Sequence, residues 1–247
     1  MAEPTRGLLD MCGRFVQLGP VTVYAAMFDV GDQYGAVARR YNVAPTPSVT
    51  ACRERDGYRE LRPLCWGLVP HWPKGPDSRH GMINARAETV HRKPAYRDPF
   101  RTRRCLIPAE AFYEWKPGPG GKQPYAIRLQ SRAPFAFAGL WDGWSAPDGT
   151  ALESCLLIVT DANALLRPIH NRMPVILSPA LWERWLDPGF RDSEALRGIL
   201  APYDAAEMEA FPVSRRVNSP EHEWAEAAGA GEYRMTRAVF LSMMVKV

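Results

Sequence analysis

The sequence has no paired cysteine motif and no long apolar run. Its 247 residues contain five cysteines, an odd number without C-x-x-C spacing, which argues against a disulfide framework and a cysteine zinc site. No apolar stretch reaches the roughly 20 residues that span a bilayer, and the opening segment lacks the apolar core of a signal peptide. We therefore expect a soluble cytoplasmic protein with reduced thiols, with no membrane partner, no metal and no other cofactor.

The chain also has little net charge. Lys and Arg total 31 against 27 Asp and Glu, a formal charge of +4, which is too small to identify a nucleic-acid-binding protein. The charge is concentrated, however, because residues 79–104 contain eight basic and two acidic side chains. Such a cluster is typical of a phosphate-binding face, and it is also typical of a solvated basic loop.

No repeat, low-complexity tract or linker divides the chain, and 46% hydrophobic content is enough for one well-packed domain. Apolar runs of strand type dominate the centre, and helices with capping residues follow later. The pattern predicts an α+β domain on a strongly curved, antiparallel sheet with flanking helices. The predicted strands are Arg104–Trp115, Tyr125–Leu129, Phe135–Trp144, Ser154–Thr160 and Met173–Leu177, with a turn at Asp148-Gly149. The predicted helices are Val21–Phe28, Ala180–Leu186 after Ser178, and Glu194–Leu200 capped by Asp192 or Ser193.

Cys12 follows Met11 directly, and that order has chemical consequences. A single cysteine is more often a small buried apolar residue than a nucleophile. If Met11 were the initiator and were removed, however, Cys12 would carry an α-amine and a thiol on adjacent carbons. The amine, with a reference pKa near 8, attacks an aldehyde to form an imine, and the thiol then closes a five-membered thiazolidine.

Three further segments carry side chains suited to such chemistry. Asn84 and Arg86 are two residues apart and so share one face of an extended segment. Glu114 interrupts an apolar strand; facing inward it would be an acid or base with a raised pKa, and facing outward it would only be solvated. His170 and Arg172 precede an apolar strand. Taken singly, each segment fits a polar turn or an exposed loop equally well.

Eight short motifs occur in order along the chain: MCGRF at 11–15, YNVAP at 41–45, WGLVPHW at 66–72, NARAE at 84–88, RCLIPAEAFYEW at 104–115, AGLWD at 138–142, IVTDAN at 158–163 and HNRMPVIL at 170–177. Together they resemble the SOS-response-associated peptidase (SRAP) family of abasic-site-processing proteins. The resemblance covers roughly residues 11–220 and implies a single α+β domain around a barrel-like sheet with a basic groove.

The resemblance implies a role for each matching residue. Cys12 forms a thiazolidine crosslink to an abasic site in single-stranded DNA. Asn84 hydrogen-bonds the cysteine and the sugar, Glu114 is the acid or base beside the amine, and His170 moves protons during ring opening and imine formation. The DNA contacts implied are Arg14, Asn42, Pro45, Trp72, Arg86, Thr160 and Arg172. The implied protein is a monomer that needs no cofactor and associates with the nucleoid when bound to DNA.

The N-terminus departs from the family pattern, because eleven residues precede Cys12. An amide nitrogen at Cys12 cannot form an imine. We therefore expect residues 1–11 to be absent from the mature protein, through initiation at Met11 or through cleavage of the Met11–Cys12 bond, which the protein itself could perform. The expected SRAP-like domain is then 12–220, and residues 221–247 extend it.

Two other functions remain open at this point. A thiol peptidase or amidase would use Cys12 as its nucleophile, with His170 or Glu114 as the base. A non-catalytic single-stranded-DNA-binding protein would use the same basic groove without any covalent step.

Overall fold

The computed structural model describes residues 12–31, 38–72, 81–146 and 148–223, in which strands far outnumber helices. The strands are β1 (Phe15–Gln17), β2 (Arg40–Val43), β3 (Ser48–Arg55), β4 (Tyr58–Trp66), β5 (Asn84–Arg86), β6 (Arg104–Ala109), β7 (Ala111–Lys116), β8 (Gln123–Leu129), β9 (Phe135–Ser145), β10 (Ala151–Asp161), β11 (Arg172–Pro174), β12 (Ile176–Leu177) and β13 (Met208–Pro212). The α-helices are α1 (Val21–Met27), α2 (Pro94–Thr102), α3 (Trp182–Leu186) and α4 (Ser193–Gly198). None of the helices in these ranges has the length and apolar character needed to cross a bilayer.

The larger sheet closes on itself. Strand β10 pairs with β4, β4 with β3, β3 with β6, β6 with β9, and β9 again with β10, so five strands form a ring. Strands β5 and β11 add to β10, and β12 adds to β9. Among the strand pairings of the described residues, only β10–β4 and β10–β5 are parallel. The predicted α+β fold with a barrel-like, mainly antiparallel sheet is therefore confirmed.

A second, five-stranded sheet in the order β13-β8-β7-β1-β2 covers one face of this ring. Side chains alternate along the ring strands, because successive residues of a strand point to opposite faces. Leu106 and Leu156 pack with the helices, whereas Ile107 and Leu157 pack with the second sheet. Both faces of β6 and of most of β9 and β10 are thus buried, which explains the nearly continuous apolar sequence of these three strands.

The predicted strand Arg104–Trp115 is divided at Glu110. Its first half, β6, belongs to the ring, and its second half, β7, belongs to the five-stranded sheet. The Glu110 carboxylate accepts hydrogen bonds from the backbone N–H groups of Leu18 (2.7 Å) and Gly19 (3.0 Å). The change of sheet therefore depends on distant partners, and the prediction of one continuous strand was wrong.

The predicted strand Met173–Leu177 is also divided, at Val175. The N–H of Val175 donates to Ile158 of β10 (2.8 Å), and its carbonyl accepts from Ala138 of β9 (2.9 Å). The chain therefore passes from the edge of one ring strand to the edge of the next, and β11 and β12 are separate strands.

The predicted turn and capped helices agree with the structure in most respects. Residues 148–149 lie in the hairpin between β9 and β10, with Gly149 at a φ of +87°. Asp192 caps α4 by accepting from the N–H groups of Glu194 and Ala195. Ser178 makes no capping hydrogen bond; a 3₁₀ turn of Pro179–Leu181 precedes α3 instead.

Helix α2 was not predicted, because prolines normally terminate or bend helices. Pro94 occupies the first turn, where its missing N–H has no helical partner, and Pro99 lies inside the helix. Tyr96 and Phe100, four residues apart, are both buried against the core. Their burial outweighs the local cost of Pro99.

Several expectations lie outside the described residues. These are the absence of residues 1–11 from the mature protein, Arg79 of the basic cluster, and residues 224–247 of the predicted extension.

Closure of the ring requires a residue without a side chain on β9, and this generates a stability prediction. A Cβ on Gly139 would lie 2.8 Å from the Cys105 sulfur and 2.9 Å from the Leu156 carbonyl oxygen. Gly139→Ala should therefore lower the free energy of unfolding by about 1–3 kcal/mol, as overpacking does. Gly143→Ala on the same strand is the matched control, because nothing lies within 4 Å of its Cβ position. Equal urea midpoints for the two variants would contradict this account of ring closure.

Candidate active site

The pairing of β1 with β7 brings Cys12 to Glu114. Phe15 lies opposite Phe112 in this antiparallel pair, and the N–H of Tyr113 donates to the Arg14 carbonyl (3.0 Å). Because antiparallel register runs in opposite directions on the two strands, the residues before Phe15 lie beside those that follow Phe112. Cys12 is buried at 2% exposure, directly at the Glu114 side chain.

The Cys12 thiol lies in an environment that disfavours its ionised form. Burial raises the pKa of the thiol well above its usual value, and the negative charge of Glu114 and a hydrogen bond to Glu114 raise it further. The positive charge of Arg172 acts in the opposite direction with a smaller effect. At neutral pH the thiol is therefore protonated and acts as a hydrogen-bond donor toward the carboxylate.

Glu114 has the burial and the position that an acid or base at this site would need. Its exposure is 4%, and burial raises its pKa to about 6. The charge of His170 and hydrogen bonds from both the thiol and the backbone N–H of Cys12 oppose this rise. The sequence left the direction of Glu114 open, and the structure places it inward, within reach of the nitrogen that would become the α-amine.

Asn84 holds the main chain of Cys12. Its side-chain nitrogen donates to the Cys12 carbonyl (3.2 Å). Asn84 begins β5, which lies parallel to β10 with Asn84 opposite Leu157. Asn84, which belongs to the larger sheet, thus holds Cys12, which directly precedes β1 of the smaller sheet.

His170 lies in the loop before β11 and faces Glu114. Its Nδ1 is 3.8 Å from Glu114 Oε2, and the same Nδ1 is 3.2 Å from the backbone nitrogen of Arg172. Its side chain is 18% exposed. A histidine so placed can pass protons between Glu114 and the solvent side of the site.

The Arg172 guanidinium is already paired with carboxylates. It makes two parallel hydrogen bonds to Glu88 (2.8 and 2.9 Å) and another to Asp161 (2.7 Å). Neither Glu88 nor Asp161 is among the residues predicted from the sequence, although Glu88 lies in the NARAE motif. A DNA phosphate at Arg172 would have to compete with these two acids, of which Asp161 is 78% exposed.

Arg14 and Asn42 form hydrogen bonds that hold residues 217–219 against the smaller sheet. Arg14 donates to Asn42 (2.9 Å) and to the carbonyl of Val217 (2.9 Å). Asn42 is fully buried, and its side-chain nitrogen donates to the carbonyls of Val217 (3.1 Å) and Ser219 (2.9 Å). Their predicted contacts with DNA stay predictions; in this arrangement the Asn42 side chain has no exposed surface to offer.

The other predicted DNA contacts differ in exposure. Arg86 is exposed, and its charge contributes to the lowered pKa of the Glu88 carboxyl. Trp72 is 48% exposed, Pro45 is half-buried and Thr160 is 6% exposed. Register joins Arg86 to Val159 on β10, next to Thr160, whereas Trp72 lies on a separate loop.

The structure therefore brings Cys12, Asn84, Glu114, His170 and Arg172 together at one site. The other predicted DNA-contacting residues are more widely separated, with Trp72 on a different loop. In the described ranges, no group of three or more His, Cys, Asp or Glu side chains is arranged to hold a metal ion.

Comparison with known proteins identifies the family. A model described as SOS response associated peptidase (SRAP) matches residues 11–220. The chain belongs to the SRAP family. Abasic site processing protein YoaM of Bacillus subtilis (strain 168) is 43% identical over 229 residues, which cover 89% of this chain and 98% of the relative. Abasic site processing protein YedK of Escherichia coli (strain K12) is 30% identical over 225 residues, which cover 87% and 98%.

Solved structures carry the same SRAP fold. The crystal structure of a Bordetella bronchiseptica protein has a TM-score of 0.71 and 26% identity, and the match covers 82% of this chain and all of the other. The resemblance seen in the eight sequence motifs is therefore confirmed, and so is the fold that it implied. The roles of individual SRAP residues stay predictions.

The raised pKa of Glu114 makes stability depend on pH in a predictable direction. The folded protein binds this proton more tightly than the unfolded chain between the usual pKa near 4.5 and the folded value of about 6. The contribution of Glu114 to stability is therefore fully present below pH 4.5 and is lost as the pH rises through 6. Relative to Glu114→Gln, the wild type should lose on the order of 2 kcal/mol of unfolding free energy between pH 4 and 7. Urea unfolding at both pH values measures this, and a constant difference between the two proteins would contradict it.

Proposed function

We propose that this protein processes abasic sites in single-stranded DNA by forming a covalent thiazolidine through Cys12. The observation that carries the proposal is the contact of one buried carboxyl, Glu114, with both the thiol and the backbone nitrogen of Cys12. A site built for thiol chemistry alone has no need of a proton acceptor at that nitrogen. The names of the SRAP relatives, abasic site processing proteins, support the choice of substrate.

The proposed reaction begins at the free α-amine of Cys12. The amine nitrogen attacks C1′ of the ring-opened sugar and the C=O π bond breaks. The nitrogen then gives up one proton and the oxygen takes one up, which gives a carbinolamine. Loss of that hydroxyl as water gives the protonated imine. The thiol then adds its sulfur to the imine carbon and gives up its proton, closing the ring, so that the net change is the release of one water.

Glu114 and His170 are suited to the proton transfers in this sequence. A carboxyl with a pKa of about 6 can both accept the ammonium proton and return a proton to the leaving hydroxyl near neutral pH. His170, 3.8 Å from Glu114 and partly exposed, can exchange protons with solvent. Asn84 keeps the Cys12 carbonyl fixed, which orients the amine and the thiol together.

The chemistry requires that residues 1–11 be absent from the active protein. We propose that translation begins at Met11 and that this Met is removed; cleavage of the Met11–Cys12 bond would give the same product. The family match itself begins at Met11. The proposed mature SRAP domain is 12–220, and residues 221–247 extend it.

The two competing functions are less well supported. A thiol peptidase needs a thiolate, whereas burial and Glu114 raise the pKa of the Cys12 thiol. A binding protein without covalent chemistry would gain nothing from burying a carboxyl beside a thiol, since an uncompensated buried charge is destabilising.

Covalent capture of abasic DNA is the first test. Protein beginning at Cys12 should form an adduct with abasic single-stranded DNA that survives denaturing electrophoresis, and Cys12→Ser should lose it because an oxygen ring is less durable. Cys65→Ser is the control, since Cys65 is the one cysteine in the described residues that is not buried. Protein that retains residues 1–11 should form no adduct. The proposal would be contradicted if Cys12→Ser, or protein that retains residues 1–11, formed as much adduct as protein that begins at Cys12.

Proton transfer is tested by rate. Glu114→Gln and His170→Ala should each slow adduct formation or its reversal by about 100-fold, the usual scale for general acid–base groups. The rate of adduct formation should also rise with pH as the α-amine loses its proton. Single-turnover kinetics on protein that begins at Cys12 gives these values. Wild-type rates in both variants would remove the assigned roles.

A further inference from the structure

All four N–H groups on the two terminal nitrogens of Arg172 have partners. Nη1 donates to Glu88 (2.8 Å) and to Asp161 (2.7 Å), and Nη2 donates to Glu88 (2.9 Å) and to the carbonyl of Val159 (3.1 Å). The fifth N–H of the guanidinium, on Nε, is buried and has no partner among the described residues. A ligand that approaches from solvent therefore binds this guanidinium by displacing one of its three acceptors.

The three acceptors differ in how firmly they are held. The Val159 carbonyl belongs to the main chain of β10 and also accepts from the N–H of Ala87 (2.9 Å). Glu88 makes two parallel hydrogen bonds, the stronger arrangement, and these bonds from Arg172 lower the pKa of its carboxyl. Asp161 makes one hydrogen bond, and its side chain is 78% exposed. Asp161 is therefore the partner that a ligand displaces most easily.

Arg172 borders the reacting residues. Its positive charge acts on the Cys12 thiol. Its backbone nitrogen is 3.2 Å from Nδ1 of His170, the same ring nitrogen that faces Glu114 at 3.8 Å. A DNA strand whose sugar reaches Cys12 therefore lies beside this guanidinium.

The charges around Arg172 are balanced before a ligand binds. The carboxylates of Glu88 and Asp161 outnumber the one guanidinium between them. The charge of Arg86 also acts on Glu88, and with it the four side chains sum to zero. A phosphate is therefore attracted to Arg172 only after Asp161 has separated from it.

We propose that Asp161 is a displaceable counter-ion of Arg172, and that a backbone phosphate of the DNA strand takes its place. Phosphate contacts position a strand without reading its bases, so this exchange occurs on undamaged strands as well. Because the ion pair must be separated each time, Asp161 lowers the affinity for undamaged strands and shortens their residence on the protein. The inference rests on the proposed function in its choice of single-stranded DNA as the ligand.

The test is equilibrium binding of an unmodified oligothymidylate to protein that begins at Cys12, measured by fluorescence anisotropy. Asp161→Asn should bind about two- to fivefold more tightly than the wild type, the scale of one exposed ion pair, because the uncharged amide competes poorly for Arg172. The complex with Asp161→Asn should also dissociate more slowly by a similar factor.

Asp148→Asn is the matched control, because it removes the same charge at the opposite end of the same strand. Asp148 is exposed in the turn before β10, and Asp161 is the last of the 11 residues of β10. At about 3.3 Å per residue, the strand separates the two acids by roughly 30 Å. The Debye length is about 8 Å at physiological salt, so Asp148→Asn should bind as the wild type does.

A second comparison removes the arginine. Arg172→Gln should bind more weakly than the wild type, and adding Asp161→Asn to it should no longer raise the affinity, because no guanidinium remains to be released. Circular dichroism checks the fold of both variants. The comparison of Asp161→Asn with Asp148→Asn leaves Arg172 intact and decides the question if Arg172→Gln does not fold.

Three results would overturn the inference. They are an affinity of Asp161→Asn no higher than that of Asp148→Asn, the same gain from Asp161→Asn with and without Arg172, and wild-type affinity in folded Arg172→Gln. Failure of the wild type to form an adduct with abasic DNA would instead refute the proposed function. It would leave these binding results unaffected, because they use unmodified DNA.

Discussion

The contact between a buried carboxyl and Cys12 is the constraint on which the rest of the site depends. Burial makes the ionised form of Glu114 costly, and the resulting pKa of about 6 gives the group access to both protonation states near neutral pH. The same contact keeps the thiol protonated and presents an acceptor to the adjacent nitrogen. The contact between Glu114 and Cys12 in a buried environment therefore accounts both for the raised pKa of Glu114 and for the protonated state of the Cys12 thiol.

The fold maintains this contact through a very short strand pair. Only Phe15 and Val16 of β1 are registered on β7. The far end of β1 is held by Glu110, whose carboxylate accepts from the N–H groups of Leu18 and Gly19 and from the Tyr24 hydroxyl (2.8 Å). This clamp fixes the register that sets Cys12 beside Glu114. The site is thus positioned by the junction between the two sheets. Strand β5 contributes Asn84, and the loop before β11 contributes His170, from the side of the larger sheet.

The sequence predicts the residues that carry the chemistry of the site, but it does not predict the contacts that hold those residues in place. The motifs identify Cys12, Asn84, Glu114 and His170, and the structure brings them together. The inward direction of Glu114 could not be read from periodicity, because most of β7 is buried on both faces. Arg172 at the start of β11 pairs with Asp161 at the end of β10 and with Glu88, which follows β5. A local sequence pattern cannot predict such contacts, because the three residues are far apart in the chain. Helix α2 escaped prediction for a related reason, since tertiary burial of Phe100 overrides the two prolines.

The central claim is that one carbon of the abasic sugar becomes bonded to both the nitrogen and the sulfur of Cys12. Nuclear magnetic resonance of the purified adduct tests this directly, with carbon-13 at C1′ of the abasic site and nitrogen-15 in Cys12. The account predicts a saturated C1′ carbon that is coupled to the Cys12 nitrogen and carries the chemical shift of a carbon bearing both nitrogen and sulfur. An unsaturated imine carbon, or a saturated carbon without coupling to that nitrogen, would contradict it.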